Sequence, residues 1–162
     1  MKKIIMVSTN NTSRSFIAES LLRQLLLDAH QKNIEVISRG LVVLFPEPVH
    51  VKAADMVIQK CGIESLDFQS AQLTQEEVEQ SDLILTMTEE QKEKILEEYH
   101  GYKEIATLNE YASVEGAIID PYGMEDDDYE RCFEQIAHLV KKIWEERLGG
   151  NEMIVIGSYH GG

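Results

Sequence analysis

The sequence predicts a single α/β domain, a four-stranded parallel sheet with helices on both faces. Three observations carry this expectation. Short apolar runs alternate with stretches of helical periodicity along the chain. No linker or internal repeat divides it. Its 162 residues are enough for one domain with a real core.

The elements follow in order. KKIIMVS (2–8) is apolar enough for a buried parallel strand. A helix is expected from Ser15 to about Gln31, with Ala18, Leu21, Leu22, Leu25 and Leu26 at helical spacing. NIEVISRG (33–40) reads as the second strand, and LVVLFPEP (41–48), with two prolines, as a loop. A helix over Val49 to Lys60 is stopped by Cys61-Gly62. Thr74-Gln-Glu-Glu resembles a capping box and opens a short helix. DLILTMT (82–88) is the third and most apolar strand, EEQKEKILEEY (89–99) an amphipathic helix, and EIATLNEY (104–111) a weaker fourth strand. The loop IIDPYGMEDDD (118–128) runs into a last helix whose apolar stripe includes Tyr129, Cys132, Phe133, Ile136, Leu139, Val140, Ile143 and Trp144. The domain is expected to span 1–148. The tail 149–162 is different in character, and EMIVIG within it reads equally as an edge strand or as disordered chain.

Composition narrows the function. Charged residues are 27% and hydrophobic residues 43%, ordinary for a soluble globular protein. The basic-then-apolar start is too short for a signal peptide, and no apolar run is long enough to span a bilayer. A cytoplasmic location is expected. Cys61 and Cys132 then read as free thiols. No Cys/His cluster has zinc spacing, and no cofactor or metal is indicated. The formal net charge of −14 argues against nucleic acid and anionic membrane as partners. It also repels a phosphorylated ligand, unless cations and backbone N–H groups concentrate positive potential at one point.

One loop could do that. VSTNNTSRS (7–15) joins a strand to a helix and places Arg14 at the helix start, where the dipole disfavours a cation. The placement makes sense if an anion sits in the loop, held by successive N–H groups and by the guanidinium fork. Asn10 and Asn11 tolerate left-handed conformations, and Ser15 can cap the helix. A polar turn with a capping serine and a solvated arginine fits these residues equally well.

VSTNNTSRSFIAESLLR resembles the low-molecular-weight protein tyrosine phosphatases, whose loop is a cysteine, five residues, an arginine and a serine. Ser38-Arg39-Gly40, LTQEEVEQSDLILTMT and LNEYASVEGAIIDPYG are similar to further family segments, in order and at matching spacing over roughly residues 2–146. The resemblance implies that family's fold, with strand order 2-1-3-4, and a partner that is phosphate or a phosphorylated protein side chain. It implies Arg14 as phosphate clamp, Asp120 as general acid and base, Tyr122 as a wall of the pocket, and Ser15 as a hydrogen-bond donor to the nucleophile. The loop residues Thr9, Asn10, Asn11, Thr12 and Ser13 would surround the phosphoryl group. Thr12 is similar to the residue found in bacterial members that act on phosphoarginine.

The chain departs from the family pattern at Ser8, in the nucleophile's place, at Asn10, where the family has its loop glycine, at Ser13, where it has a second cysteine, and at Phe68, where it usually has a histidine. A serine hydroxyl is not ionised by such a loop and needs an adjacent base. No histidine lies in or beside the loop in sequence, and His50, at the start of the next helix, is the histidine placed to come near it. Two readings stand. In the first the chain is a phosphate-binding family member with impaired catalysis. In the second it is an active tyrosine or arginine phosphatase, with Ser8 either an unusual nucleophile or a laboratory replacement of cysteine. Arg39, where the family usually has a small residue, would serve as a second cation for the anion or pair with a surface carboxylate.

Overall fold

The computed structural model describes residues 1–62 and 67–149. Strands β1 (Lys2–Ser8), β2 (Ile34–Gly40), β3 (Leu83–Thr86) and β4 (Ile105–Thr107) form one sheet in the order β2-β1-β3-β4. All three pairings are parallel. The helices are α1 (Arg14–Asp28), α2 (Val51–Cys61), α3 (Gln75–Gln80), α4 (Glu89–Glu98), α5 (Leu108–Tyr111) and α6 (Asp126–Arg147). The expected sheet is therefore present, with helices on both faces. Among the described residues no helix is long and apolar enough to cross a membrane. The tail segment EMIVIG lies outside the described residues.

Strand alternation explains the two layers. Ile4 and Met6 of β1 face a large core shared with Phe16, Ile17 and Leu22 of α1 and with Phe133, Ile136 and Val140 of α6. Ile5 and Val7 face the other side, where Val78 of α3 and Ile95 of α4 cover them. The central strand is thus buried on both faces, which is why its sequence reads as an unbroken apolar run.

Element ends differ from expectation where a local cap competes with the apolar pattern. The first helix ends at Asp28 rather than Gln31, and His30 beyond it takes a left-handed φ of 54°. The second helix starts at Val51 rather than Val49, because the His50 side chain accepts a hydrogen bond from the Lys52 N–H and caps it. It ends where Gly62 adopts a φ of 71°, a left-handed cap that glycine takes without steric cost. The third strand stops at Thr86, since Thr88 caps α4. The fourth strand is only three residues long. From Leu108 the chain turns into α5, with the Thr107 hydroxyl accepting from the Glu110 N–H and the Glu110 carboxylate accepting from the Thr107 N–H. Thr107-Leu-Asn-Glu110 has the same capping spacing as Thr74-Gln-Glu-Glu77, and it overrides the apolar run. Thr107→Ala should therefore lower stability by about 1 kcal/mol, read as a shifted midpoint in urea with an unchanged slope.

Candidate active site

The carboxyl ends of β1 and β2 and the segments after β3 and α5 converge on one cavity of about 610 Å³. In an open parallel sheet this edge is where ligands bind. Thr9 and Arg14 line it from the loop that leaves β1. Thr88, Glu89, Glu90, Gln91 and Lys94 line it from the start of α4, and Ala117, Ile118, Ile119 and Asp120 from the segment before α6.

The loop is braced from outside through its carbonyls. The Leu41 N–H donates to the Ser8 and Thr9 carbonyl oxygens at 3.1 and 2.8 Å, the Val42 N–H to the Thr9 carbonyl at 2.9 Å, and the His50 N–H to the Thr12 carbonyl at 2.9 Å. Asn11 holds the centre. It takes a φ of 62°, its Oδ1 accepts from the Ala71 N–H at 3.0 Å, and its Nδ2 donates to the Ser15 hydroxyl at 2.8 Å. The N–H groups of residues 10–15, by contrast, donate to no acceptor among the described residues. The loop's carbonyls face structure, and its amides remain available.

Gly40 explains how the loop fits against β2. A Cβ there would lie 2.5 Å from the Val43 side chain and 3.1 Å from the Asn10 backbone carbon. Gly40→Ala should therefore push the loop out of register and weaken phosphate binding measured by calorimetry, with the secondary-structure spectrum unchanged.

Arg14 is only 6% exposed, with its side chain at the cavity. Its Nη1 donates to the Ile118 carbonyl oxygen at 2.7 Å, and its Nη2 lies 3.8 Å from an Asp120 carboxylate oxygen. Burial pulls the guanidinium pKa below its ordinary value, and the Asp120 carboxylate opposes that shift. Asp120 is 41% exposed and also accepts from the Tyr122 N–H at 3.0 Å. Ser8 is 1% exposed, with its hydroxyl 2.6 Å from that of Ser15.

Several expected roles change. Ser15 does not cap α1. Ser13 holds the cap position without a side-chain cap bond, and the Ser15 hydroxyl is used by Ser8 and Asn11 instead. Asn10 is not left-handed; within the loop only Asn11 is. The Asn11 side chain is fully buried in bracing the loop. Thr12 donates its hydroxyl to Asn10 Oδ1 at 3.1 Å. Tyr122 does not wall this cavity. It is 69% exposed, with its ring edge-on to His50 at 5.7 Å. His50 caps α2 and stacks on Tyr129 at 5.2 Å, and no hydrogen bond joins it to Ser8. Arg39 pairs with Glu77 at 2.8 Å, on the side of the sheet covered by α3, so of its two expected roles the ion pair is the one found. Phe68 packs on Phe16, with ring centroids 4.7 Å apart.

The wall made by the start of α4 was not read from the sequence. Gln91 is its main support. Its Oε1 accepts from the Met87 and Thr88 N–H groups, and its Nε2 donates to the Thr9 hydroxyl at 3.1 Å. The spacing Thr88-x-x-Gln91 was the available signal.

The sequence model described as "Low molecular weight phosphotyrosine protein phosphatase" matches residues 3–152. The chain belongs to that family. It is 33% identical over 141 residues to the low molecular weight protein-tyrosine-phosphatase PtpB of Staphylococcus haemolyticus, covering 87% of this chain and 96% of the relative. The low molecular weight protein tyrosine phosphatase of T. tengcongensis superposes with a TM-score of 0.84 at 28% identity, covering 90% and 99% of the two chains. A mutant of the arginine phosphatase YwlE, with serine in place of an active-site cysteine and that serine phosphorylated, superposes with a TM-score of 0.82 at 28% identity, covering 93% and 99%.

Cys132 of α6 lies close enough to Arg14 for the two to affect each other's titration. Burial nevertheless dominates and pushes its thiol from 9.0 up to about 11. The folded state thus keeps this thiol protonated where the unfolded chain ionises it. Its contribution is intact below about pH 9 and is lost as pH rises toward 11. The loss amounts to about 2–3 kcal/mol, and Cys132→Ala should flatten the decline in urea stability over that range.

Proposed function

We propose that the chain binds a phosphorylated protein side chain in the loop 8–15 and turns it over poorly, because Ser8 takes the place of the family's nucleophilic cysteine. The observation that carries this reading is the set of six unpaired amides, residues 10–15, next to a buried guanidinium. Such a loop matches the oxygens of a phosphoryl group. In this reading Arg14 clamps the phosphoryl oxygens, while Thr9, Asn10, Thr12 and Ser13 contribute the loop around it. Asp120, on the cavity wall and near Arg14, gives the leaving group its proton.

The weak step is nucleophilic attack. A loop of this kind lowers a thiol's pKa to roughly 3.5–7.5 and so supplies a thiolate. It does not ionise a hydroxyl. The group hydrogen-bonded to Ser8 is another hydroxyl, Ser15, with no imidazole or carboxylate in hydrogen-bond contact among the described residues. Slow transfer remains chemically open. The Ser8 Oγ–P bond would form as the bond to the leaving group breaks, with the serine's proton passing to a phosphoryl oxygen and a protonated Asp120 giving its proton to the leaving group. The YwlE mutant supports this, since its active-site serine is phosphorylated. Thr12, similar to the residue of the phosphoarginine branch, favours an N-phosphorylated arginine over phosphotyrosine.

The test is to incubate the chain with a phosphoarginine peptide and, separately, a phosphotyrosine peptide. Intact-mass measurement should show at most one added phosphoryl group, on Ser8, acquired more readily from phosphoarginine. Repeated turnover of either peptide would refute the impaired-enzyme reading, and preferential use of phosphotyrosine would refute the choice of branch.

A further inference from the structure

The two walls of the cavity differ in chemistry. Glu89 and Glu90 stand on the α4 side, and Ala117, Ile118 and the exposed Ile119 on the other, where the one carboxylate, Asp120, already lies 3.8 Å from Arg14. Acidic residues at a helix start usually complement its dipole. Here the Thr88–Gln91 capping box already serves the Thr88 and Gln91 N–H groups, with no part taken by the Glu89 or Glu90 side chain. The two carboxylates are therefore not needed as hydrogen-bonding caps. Lys92, the cation paired with Glu89, is 3.9 Å from it but 3.1 Å from Glu110. Glu90 has no ion pair among the described residues. Apart from Arg14, Lys94 is the one cation lining the cavity among the described residues.

We propose that Glu89 and Glu90 make this a site for phosphorylated segments that carry lysine or arginine beside the phosphorylated residue. The inference rests on the reading of Arg14 as the phosphoryl clamp. With the phosphoryl group at Arg14, a neighbouring cation reaches the carboxylate wall. An acidic neighbour meets like charge at the same place. Rim charges of this kind set specificity more than total affinity, and they are screened by salt. The overall charge of −14 also disfavours acidic peptides, but that repulsion persists almost unchanged when two charges are removed, so local variants isolate the wall.

The experiment is calorimetry at low salt with the full chain and two phosphoarginine peptides, identical except for flanking lysines or flanking glutamates. Inorganic phosphate is the reference ligand. The lysine peptide should bind about tenfold more tightly. In the double variant Glu89→Gln, Glu90→Gln the ratio should fall to about twofold, while affinity for inorganic phosphate rises slightly. Lys94→Gln should widen the ratio, and salt near 1 M should erase it. An undiminished ratio in the double variant, or no preference in the unaltered chain, overturns the proposed role of the wall while leaving the phosphoryl site intact. Failure of phosphate and both peptides to bind at all overturns the Arg14 reading, and the inference with it.

Discussion

Ser8→Cys should raise aryl phosphate hydrolysis on the order of 10³-fold or more over the unaltered chain. The parts that would act with a thiolate are in place. Position 8 is buried at the end of β1, Arg14 lies across the loop from it, and the Ser15 hydroxyl sits 2.6 Å from the side-chain oxygen. The unpaired loop amides and the guanidinium would stabilise the thiolate. In the proposed reading Asp120 supplies general acid catalysis, so adding Asp120→Ala to the Ser8→Cys background should remove about 10²–10⁴-fold. The family's glycine at position 10 is not needed for backbone reasons, since the left-handed residue of this loop is Asn11. Asn10→Gly should therefore add little to Ser8→Cys. A large gain from Asn10→Gly would mean that the loop is held in a non-productive shape.

Arg14→Ala should abolish measurable phosphate binding, a loss of about 2–5 kcal/mol, the usual cost of truncating one side of a buried charge pair. Arg14→Lys should recover little of it, because an ammonium does not reproduce the guanidinium's planar fork of donors. Arg14 also ties two segments together through the Ile118 carbonyl and Asp120. The Ala variant should accordingly melt at a lower temperature, and the circular dichroism spectrum would verify that it remains folded. Calorimetry with inorganic phosphate reads the first effect. Unchanged affinity in a folded Arg14→Ala chain would place the anion elsewhere.

Much of this molecule is legible in its sequence, for physical reasons that differ between elements. β1 and α6 announce themselves because a strand buried on both faces and a helix buried on one leave strong, distinct apolar patterns. β4 does not, because its apolar run continues into α5, and the choice is made by a pair of hydrogen bonds between Thr107 and Glu110. The same kind of bond hid the α4 wall of the site, where Thr88 and Gln91 form the cap and Gln91 reaches across to Thr9. Arg14 and Asp120 were readable by resemblance and lie together at the cavity. The resemblance puts Tyr122 at the pocket and Ser15 in a hydrogen bond to position 8, and the Ser8–Ser15 contact is present; the cap role for Ser15 follows from its residue type alone and is not found. Tyr122 instead lies edge-on to His50, a pairing 72 residues apart that no local pattern encodes.

The decisive measurement is product formed per chain when the unaltered protein is mixed in excess over a phosphorylated substrate, and then again with substrate in excess. A site that retains its phosphoryl clamp but lacks its thiolate should yield at most one equivalent of product, matched by phosphoryl retained on Ser8, and no further release on longer incubation. Steady release of many equivalents at the rate of the Ser8→Cys chain would contradict it.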